Sequence, residues 1–174
     1  MIANPVGIDF PIQEMQQLFI ANLWTDISAS KKEFNHRVFS NKDKDGNNYP
    51  EVFIDGTNDY RRVKFDDRLS VLSWFDVSDS TGSFSGDYIN QEVGVFFAVN
   101  LKDLYPTLQH RAVEESHKDV NSVLLKRPLN FSTTEITTRD AAYGDFNIDN
   151  LKKYNIQPWH VFRIKCNVKY QLNC

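Results

Sequence analysis

One short segment carries oxygen-bearing side chains at the spacing of a calcium loop. Asp43, Asp45 and Asn47 match positions 1, 3 and 5 of such a loop. Position 6, where calcium loops have glycine, is Asn48, and position 12, where they have glutamate, is Ile54. The pattern therefore favours an ordinary turn between two strands over a calcium site.

Histidine and cysteine are the other residue types that bind metals, and their spacing is not that of metal ligands. His110 and His117 are seven residues apart, about two helical turns, which is too far to share one ion. We expect a hydrogen-bonded packing role for His117 and a structural role for His160. His36 completes the four histidines and also lacks ligand spacing. The sequence thus predicts no metal and no cofactor.

The two cysteines, Cys166 and Cys174, are eight residues apart. On one extended strand they would lie about 26 Å apart, whereas a disulfide needs Cα atoms within about 7 Å. We expect Cys166 to be a small core residue and Cys174 to be an exposed thiol.

Several hydroxyl groups fall in the serine-rich stretch 78–87. The stretch contains no Gly-x-Ser-x-Gly or Gly-Lys-Ser/Thr sequence and no lysine. We therefore expect a projecting hairpin tip that contacts a partner in preference to a catalytic loop. The residues expected at a subunit interface or channel are Asp76, Asp79, Ser80, Ser83 and Asp87.

Basic side chains follow one face of the C-terminal strand: Arg163, Lys165 and Lys169. They can meet acidic residues of a neighbouring subunit, nucleic acid, or solvent, and the sequence leaves these alternatives open. A second basic run, 61–68, includes Asp66 and Asp67 and is typical of a solvated strand edge. No constellation of catalytic residues is recognisable, and we predict that the protein is not an enzyme.

Regular elements that position these residues can be read from the hydrophobic pattern. Apolar and polar residues alternate from Trp159 to Leu172, which predicts a long strand with one buried face, the spine of the sheet. A first helix should begin at Asp9, capped there or at a neighbour, and end near Trp24. A second long helix should begin at Pro106-Thr107 and end before Pro128.

Shorter strands complete the plan. They are predicted at 34–40, 50–54, 60–65, 68–77, 91–100 and 131–136, followed by a loop over 139–155 with a helical stretch near 149–154. The centre of 91–100 is apolar on both faces, as in a strand covered on both sides. The fold class is therefore α+β, an antiparallel or mixed β-sheet flanked by two main helices, with a long C-terminal strand.

Composition limits the function classes. A chain of 174 residues without a low-complexity linker predicts a single domain, 1–174. The net charge of −3 argues against a general nucleic-acid coat or a binder of anionic membranes. No apolar stretch approaches the roughly 20 residues needed to span a bilayer, and the start lacks the features of a signal peptide. We expect a soluble intracellular protein.

Three stretches resemble small virion proteins of tailed bacteriophages. They are the opening Gly7-Ile-Asp-Phe-Pro-Ile-Gln helix, the strand pair Leu72-Ser-Trp-Phe-Asp-Val and Val93-Gly-Val-Phe-Phe-Ala-Val, and the closing Pro158-Trp-His-Val-Phe-Arg-Ile-Lys-Cys strand. The overall plan is similar to tail-terminator and tail-completion proteins, which form rings where head meets tail. The style, rich in Asn and aromatic residues, is most like phages of the crAss-like group. The resemblance carries no site residues.

The resemblance implies a non-enzymatic structural protein of the head-to-tail connector, or neck, that lines the DNA channel. Copies would form a ring through two different surfaces, beside other neck, portal or tail proteins, with DNA only as passing cargo and no membrane partner. The protein would reside in the virion, and in the host cytoplasm during assembly. The alternatives are a nucleic-acid-binding accessory protein that uses the basic strand face, and an enzyme whose site residues are distant in sequence.

Overall fold

The computed structural model describes residues 4–57, 59–77, 83–85, 87–108, 111–126, 131–146 and 158–171, which form an α+β fold as predicted. Three α-helices, eight strands and two short 3-10 turns lie in these residues. The helices are α1 (Asp9–Asn22), α2 (Leu101–Leu104) and α3 (Val113–Leu124), and the 3-10 turns are Ala29–Lys31 and Arg139–Tyr143. The strands are β1 (Lys32–Lys42), β2 (Asn48–Ile54), β3 (Asp59–Arg62), β4 (Val71–Val77), β5 (Ser83–Ser85), β6 (Tyr88–Asn100), β7 (Phe131–Thr138) and β8 (Trp159–Gln171).

All eight strands belong to one mixed sheet. Seven follow the order β3-β2-β1-β4-β6-β8-β7, and β5 pairs with the start of β6. β1 and β4 run parallel, and every other pairing between the described strands is antiparallel. β6 and β8 pair along their whole lengths, from Tyr88 opposite Gln171 to Asn100 opposite Trp159.

The C-terminal strand was expected to be the spine of the sheet, but it does not lie at the centre of the strand order. β8 has the predicted length and alternation, but it lies next to β7 at one end of the sheet, and β4 occupies the middle of the order. A clean alternation reports one exposed face, whereas the central strands are covered on both faces and lack that signal.

Aromatic packing joins the sheet to the layers on its two faces. On one face α1 inserts Phe19, whose ring stacks on Phe75 with centroids 5.7 Å apart and meets Phe97 edge-on at 5.4 Å. On the opposite face Trp74 stacks on Phe96 at 3.7 Å. Residues 95–99 of β6 are buried throughout, which confirms the prediction of a strand covered on both sides.

Helix α1 was predicted correctly in extent, and its N-cap is Ile8, the neighbour of Asp9. The isoleucine side chain makes no capping hydrogen bond. The Asp9 carboxylate lies 3.0 Å from Arg37 of β1 in an ion pair. Trp24 follows the helix with a φ of +46°, and Lys32 Nζ donates hydrogen bonds to the carbonyl oxygens of Leu23 and Trp24.

The second long helix begins later than predicted. α3 begins at Val113, not at Pro106-Thr107, and Leu108 lies before the helix with 39% of its surface exposed. The Leu108 amide instead closes a turn onto the Tyr105 carbonyl, and the Tyr105 hydroxyl donates to Asp119 of α3 at 2.6 Å. Pro106 therefore lies in a turn that is hydrogen-bonded to α3, and not in the first turn of the helix as predicted.

Other boundaries shift by a few residues. β3 ends before the predicted residue 65, and β4 begins at Val71 because Arg68 forms a turn with Asp66. The helical stretch predicted near 149–154 lies outside the described residues. Asp43 accepts backbone hydrogen bonds from Asp45 and Asn47, both at 2.9 Å, so this segment is the predicted turn between β1 and β2.

Cys166 is buried, as predicted. Cys174 and His110 lie outside the described residues. Among the described helices, none is long and apolar enough to cross a bilayer.

Candidate functional site

Asp76 and Arg163, which the sequence assigned to different surfaces, form an ion pair across the middle of the sheet. Asp76 of β4 lies opposite Gly94 of β6, and Gly94 lies opposite Lys165 of β8. Arg163, two residues before Lys165, extends over Gly94, and its Nη2 donates to Asp76 Oδ2 at 2.6 Å. Three strands thus contribute to one contact.

Two glycines make room for the Arg163 guanidinium. A Cβ on Gly94 would lie 2.0 Å from Arg163 Nε, and a Cβ on Gly144 would lie 2.5 Å from Nη1. Gly144 also has a φ of +58°, which disfavours other residues. The side chains of Arg163 and Asp76 are only 12% and 20% exposed, so the charges lie mostly within the protein.

A polar cleft of about 600 Å³ opens beside this ion pair. Residues from β1, β2, β6, β8 and the segment after the second 3-10 turn line it, including Arg37, Ser40, Asn48, Glu92, Asp145 and Lys165. Both signs of charge are present, so the cleft is suited to polar side chains of a partner. Among the described residues, no group of three or more His, Cys, Asp or Glu side chains could hold a metal ion.

The three basic residues predicted on the β8 face each have a partner within the chain. Arg163 pairs with Asp76, and Lys165 Nζ lies 2.9 Å from Glu135 Oε2 of β7. Lys169 Nζ lies 4.5 Å above the centre of the Tyr88 ring. The β8 face therefore offers less unpaired positive charge than its sequence suggests.

Residues predicted for a subunit-interface or channel loop are placed in different elements. Asp76 lies in β4, Ser83 in β5, and Asp87 in the turn before β6, the last two being exposed. Asp79 and Ser80 lie outside the described residues. Of the two predicted groups, the structure brings together Asp76 and Arg163.

An exposed cluster of aromatic rings covers one face of strands β1 to β3. Tyr60 of β3 meets Phe39 of β1 and Phe53 of β2 edge-on, with centroids 5.5 Å apart in both cases. Phe39 is 38% exposed and Tyr60 is 46% exposed, although large apolar groups are usually covered. We call the surface formed by Phe39, Phe53 and Tyr60, together with Tyr49, Arg37 and Arg62, the aromatic hairpin face.

Two arginines stack on this aromatic surface. The guanidinium carbon of Arg37 lies 4.6 Å from the centre of the Phe39 ring, and that of Arg62 lies 4.2 Å from the centre of Tyr49. Sequence reasoning missed this surface. Its signal was an aromatic residue on the same face of each of three paired strands, which needs the strand register to be recognised.

The two ends of the sheet are unlike. Among the described strands β3 pairs only with β2, and β7 pairs only with β8, so each has a free edge. The β3 end carries Tyr60, Arg61 and Arg62, whereas β7 is rich in threonine, with Ile136 40% exposed.

Comparison with known proteins gives no independent assignment. No family model, curated protein or solved structure matches the chain, so the functional argument depends on the residues and surfaces described above.

Proposed function

We propose that this protein is a non-enzymatic structural subunit of a tailed-bacteriophage virion. Copies form a ring in the head-to-tail connector, which joins head to tail and lines the DNA channel beside other neck, portal or tail proteins. Its place is the virion, and the host cytoplasm during assembly. The α+β plan with a long C-terminal strand is compatible with the tail-terminator resemblance that motivates this proposal.

The observation that carries the proposal is a sheet with two unlike ends, one of which bears the aromatic hairpin face. A ring is built from head-to-tail contacts, which need two different surfaces on each subunit. Tyr, Phe and Arg are also the residue types enriched at the centres of protein interfaces. We infer that the aromatic hairpin face of one copy contacts the next copy.

The mass of the purified protein in solution, together with electron micrographs, tests the proposal. We expect closed rings of one copy number. The double variant Phe39→Ser, Tyr60→Ser should dissociate the oligomeric rings into smaller species, because it removes two exposed aromatic side chains from the contact between subunits. A strictly monomeric protein that also binds no portal, tail or neck component would overturn the proposal.

Ile20→Ser is a matched control for this experiment. Ile20 is 49% exposed, close to the exposure of Tyr60. Asp9 of the same helix contacts Arg37 of the aromatic hairpin face. Ile20 is eleven residues further along α1, so it lies about 16 Å from Asp9 along the helix axis at 1.5 Å per residue. This variant should keep the rings. If Ile20→Ser dissociates the oligomeric rings and the Phe39→Ser, Tyr60→Ser variant does not, the subunit contact lies on the helical face. The assignment of the contact to the aromatic hairpin face would then be wrong.

A further inference from the structure

Helix α3 meets β8 through a pair of histidines. His117 Nε2 lies 2.9 Å from His160 Nε2, within hydrogen-bond distance. The Phe162 ring packs against both imidazoles, with centroids 4.6 Å from His117 and 5.3 Å from His160. The packing role predicted for His117 and the structural role predicted for His160 are confirmed.

Hydrogen bonding between two Nε2 atoms restricts how many protons the pair can hold. One ring must donate its Nε2–H, and the other must be neutral with an unprotonated Nε2 that accepts it. A first additional proton creates a cation at a mostly buried position. A second removes the acceptor and leaves two N–H groups facing each other at 2.9 Å. The contact therefore holds only while the pair is not fully protonated.

Charges around the pair act in opposite directions. Arg111, which precedes α3, donates to the Trp159 carbonyl and adds positive charge near His160. Burial lowers the pKa of His160, and together with the smaller effects of His117 and Arg111 it brings the pKa to about 4. Burial also lowers the pKa of His117, and Glu114 on the first turn of α3 opposes that effect.

The other elements packed near the pair provide little compensation. Val99 of β6 lies opposite His160, and β7 ends at Thr138, opposite Phe162. α2 also packs on β8, and it carries Lys102, which is exposed, and Asp103, which accepts a hydrogen bond from a serine side chain of the neighbouring loop.

The two halves of α3 are anchored differently. Val120, Val123 and Leu124 in the C-terminal half are buried in the core between the helices and the sheet. The N-terminal half buries Ser116 and packs the half-buried Val113 against the same core, and it meets β8 through His117. Loss of the histidine contact should therefore loosen the first half of the helix more than the second half, which buries three large apolar side chains.

We propose that the His117–His160 hydrogen bond is an acid-sensitive latch, which holds the N-terminal half of α3 on β8 and releases it when both rings are charged. Release uncovers the side of the Phe162 ring that packs against the imidazoles. The latch is independent of the proposed ring function, because it depends only on contacts within one chain.

Residue-resolved amide hydrogen exchange between pH 7 and pH 4.5, corrected for the intrinsic rates, tests the latch. The measurement uses the full chain with a chelator present. Residues of β4 report the global stability, which also falls over this range. We expect protection at residues 117–119 to fall by about tenfold or more beyond the fall in β4. His117→Gln with His160→Gln is the matched variant, because two amides can still donate and accept but do not titrate. Relative to β4, its protection at these residues should change less than about twofold.

Histidine proton shifts measured by NMR in the wild type provide a second readout, in case the double variant does not fold. The two rings should titrate together, with a midpoint well below that of an exposed histidine. Protection should begin to fall above that midpoint, because the released rings bind protons at a higher pH than the paired rings. Independent titration near the ordinary value would overturn the latch. So would full protection down to the pH at which β4 unfolds. Zinc is added in a separate melting experiment at pH 7 without chelator. A rise in Tm that is absent from the His117→Gln, His160→Gln variant would also overturn the latch, in favour of a metal site.

Discussion

The guanidinium of Arg163 reaches the carboxylate of Asp76 across an intervening strand, with Nη2 and Oδ2 2.6 Å apart. Sequence reasoning placed Arg163 on a basic surface and Asp76 on an acidic loop, but the two charges neutralise each other inside the sheet. The contact depends on Gly94, because any side chain there would block the path of Arg163. This relationship supports two predictions about stability.

Gly94→Ala should destabilise the protein. The new Cβ would lie 2.0 Å from Arg163 Nε, so the arginine must move, and overpacking of this kind costs about 1–3 kcal/mol. Denaturant unfolding measures the loss. Combining the change with Arg163→Ala removes the obstacle, so the double variant should lose less stability than the sum of the two single variants. Strict additivity would show that the arginine does not occupy the space above Gly94.

Asp76→Asn should also destabilise the protein, because it leaves the Arg163 guanidinium without its carboxylate in a mostly buried position. We expect a loss of about 1–3 kcal/mol in unfolding experiments, below the cost for a fully buried pair. Asp66→Asn is the matched control, since it breaks the ion pair with Arg68, whose side chain is 86% exposed. That variant should unfold close to the wild type, since exposed pairs contribute little. Equal losses in the two variants would contradict the burial argument.

The parts of the fold that sequence reasoning predicted are those with local signals. The alternation from Trp159 onward reports a strand with one exposed face, and the apolar spacing of Ile12, Met15 and Phe19 reports a helix against a core. Both patterns arise within a few residues, so no knowledge of the tertiary structure was needed. The start of α3 was missed because Pro106 is equally suited to a helix start and to a turn.

Contacts of the candidate site were not predictable because they depend on strand order. Asp76 and Arg163 are 87 residues apart, and they meet only because β6 lies between β4 and β8. The rings of Phe39, Phe53 and Tyr60 converge only in one register of three strands. Gly94 did have a local signal, since a glycine within a buried strand often marks a close approach of another group.

Stability should fall as the pH is lowered from about 6.5 toward 4, in part because of His36. Burial lowers the pKa of this side chain from 6.5 to about 4, with Arg37 contributing and a hydrogen bond to the Asp9 carbonyl opposing the shift. In this range the unfolded chain binds a proton that the folded protein does not, which favours unfolding. The free energy of unfolding should therefore decrease by up to about 1.4 kcal/mol per pH unit for this residue.

His36→Gln isolates this contribution. Its free energy of unfolding should fall less steeply with decreasing pH than that of the wild type, with the difference confined to the interval between the two pKa values. Urea titrations at half-unit steps from pH 7 to pH 4.5 measure both slopes. Parallel slopes would show that His36 titrates alike in the folded and unfolded chains.

Binding of DNA through the β8 face should be weak. Because Arg163, Lys165 and Lys169 have partners within the chain, few phosphate charges can be neutralised without breaking those contacts. We expect no measurable binding of a 30-nucleotide strand at 150 mM salt, as followed by fluorescence anisotropy. Tight binding whose salt dependence decreases when these three residues are neutralised would instead favour the nucleic-acid-binding alternative.

Cys166 should be inert in the folded protein. Its side chain is fully buried, and burial raises the pKa of the thiol to about 12, so almost no thiolate exists at pH 8. In a Cys174→Ser variant, which leaves Cys166 as the single thiol, an aromatic disulfide reagent should react only after denaturation. The rate in native buffer should follow global unfolding, and it should therefore rise in the Gly94→Ala background. Rapid labelling of the folded protein, without loss of its circular dichroism, would mean that β8 opens locally.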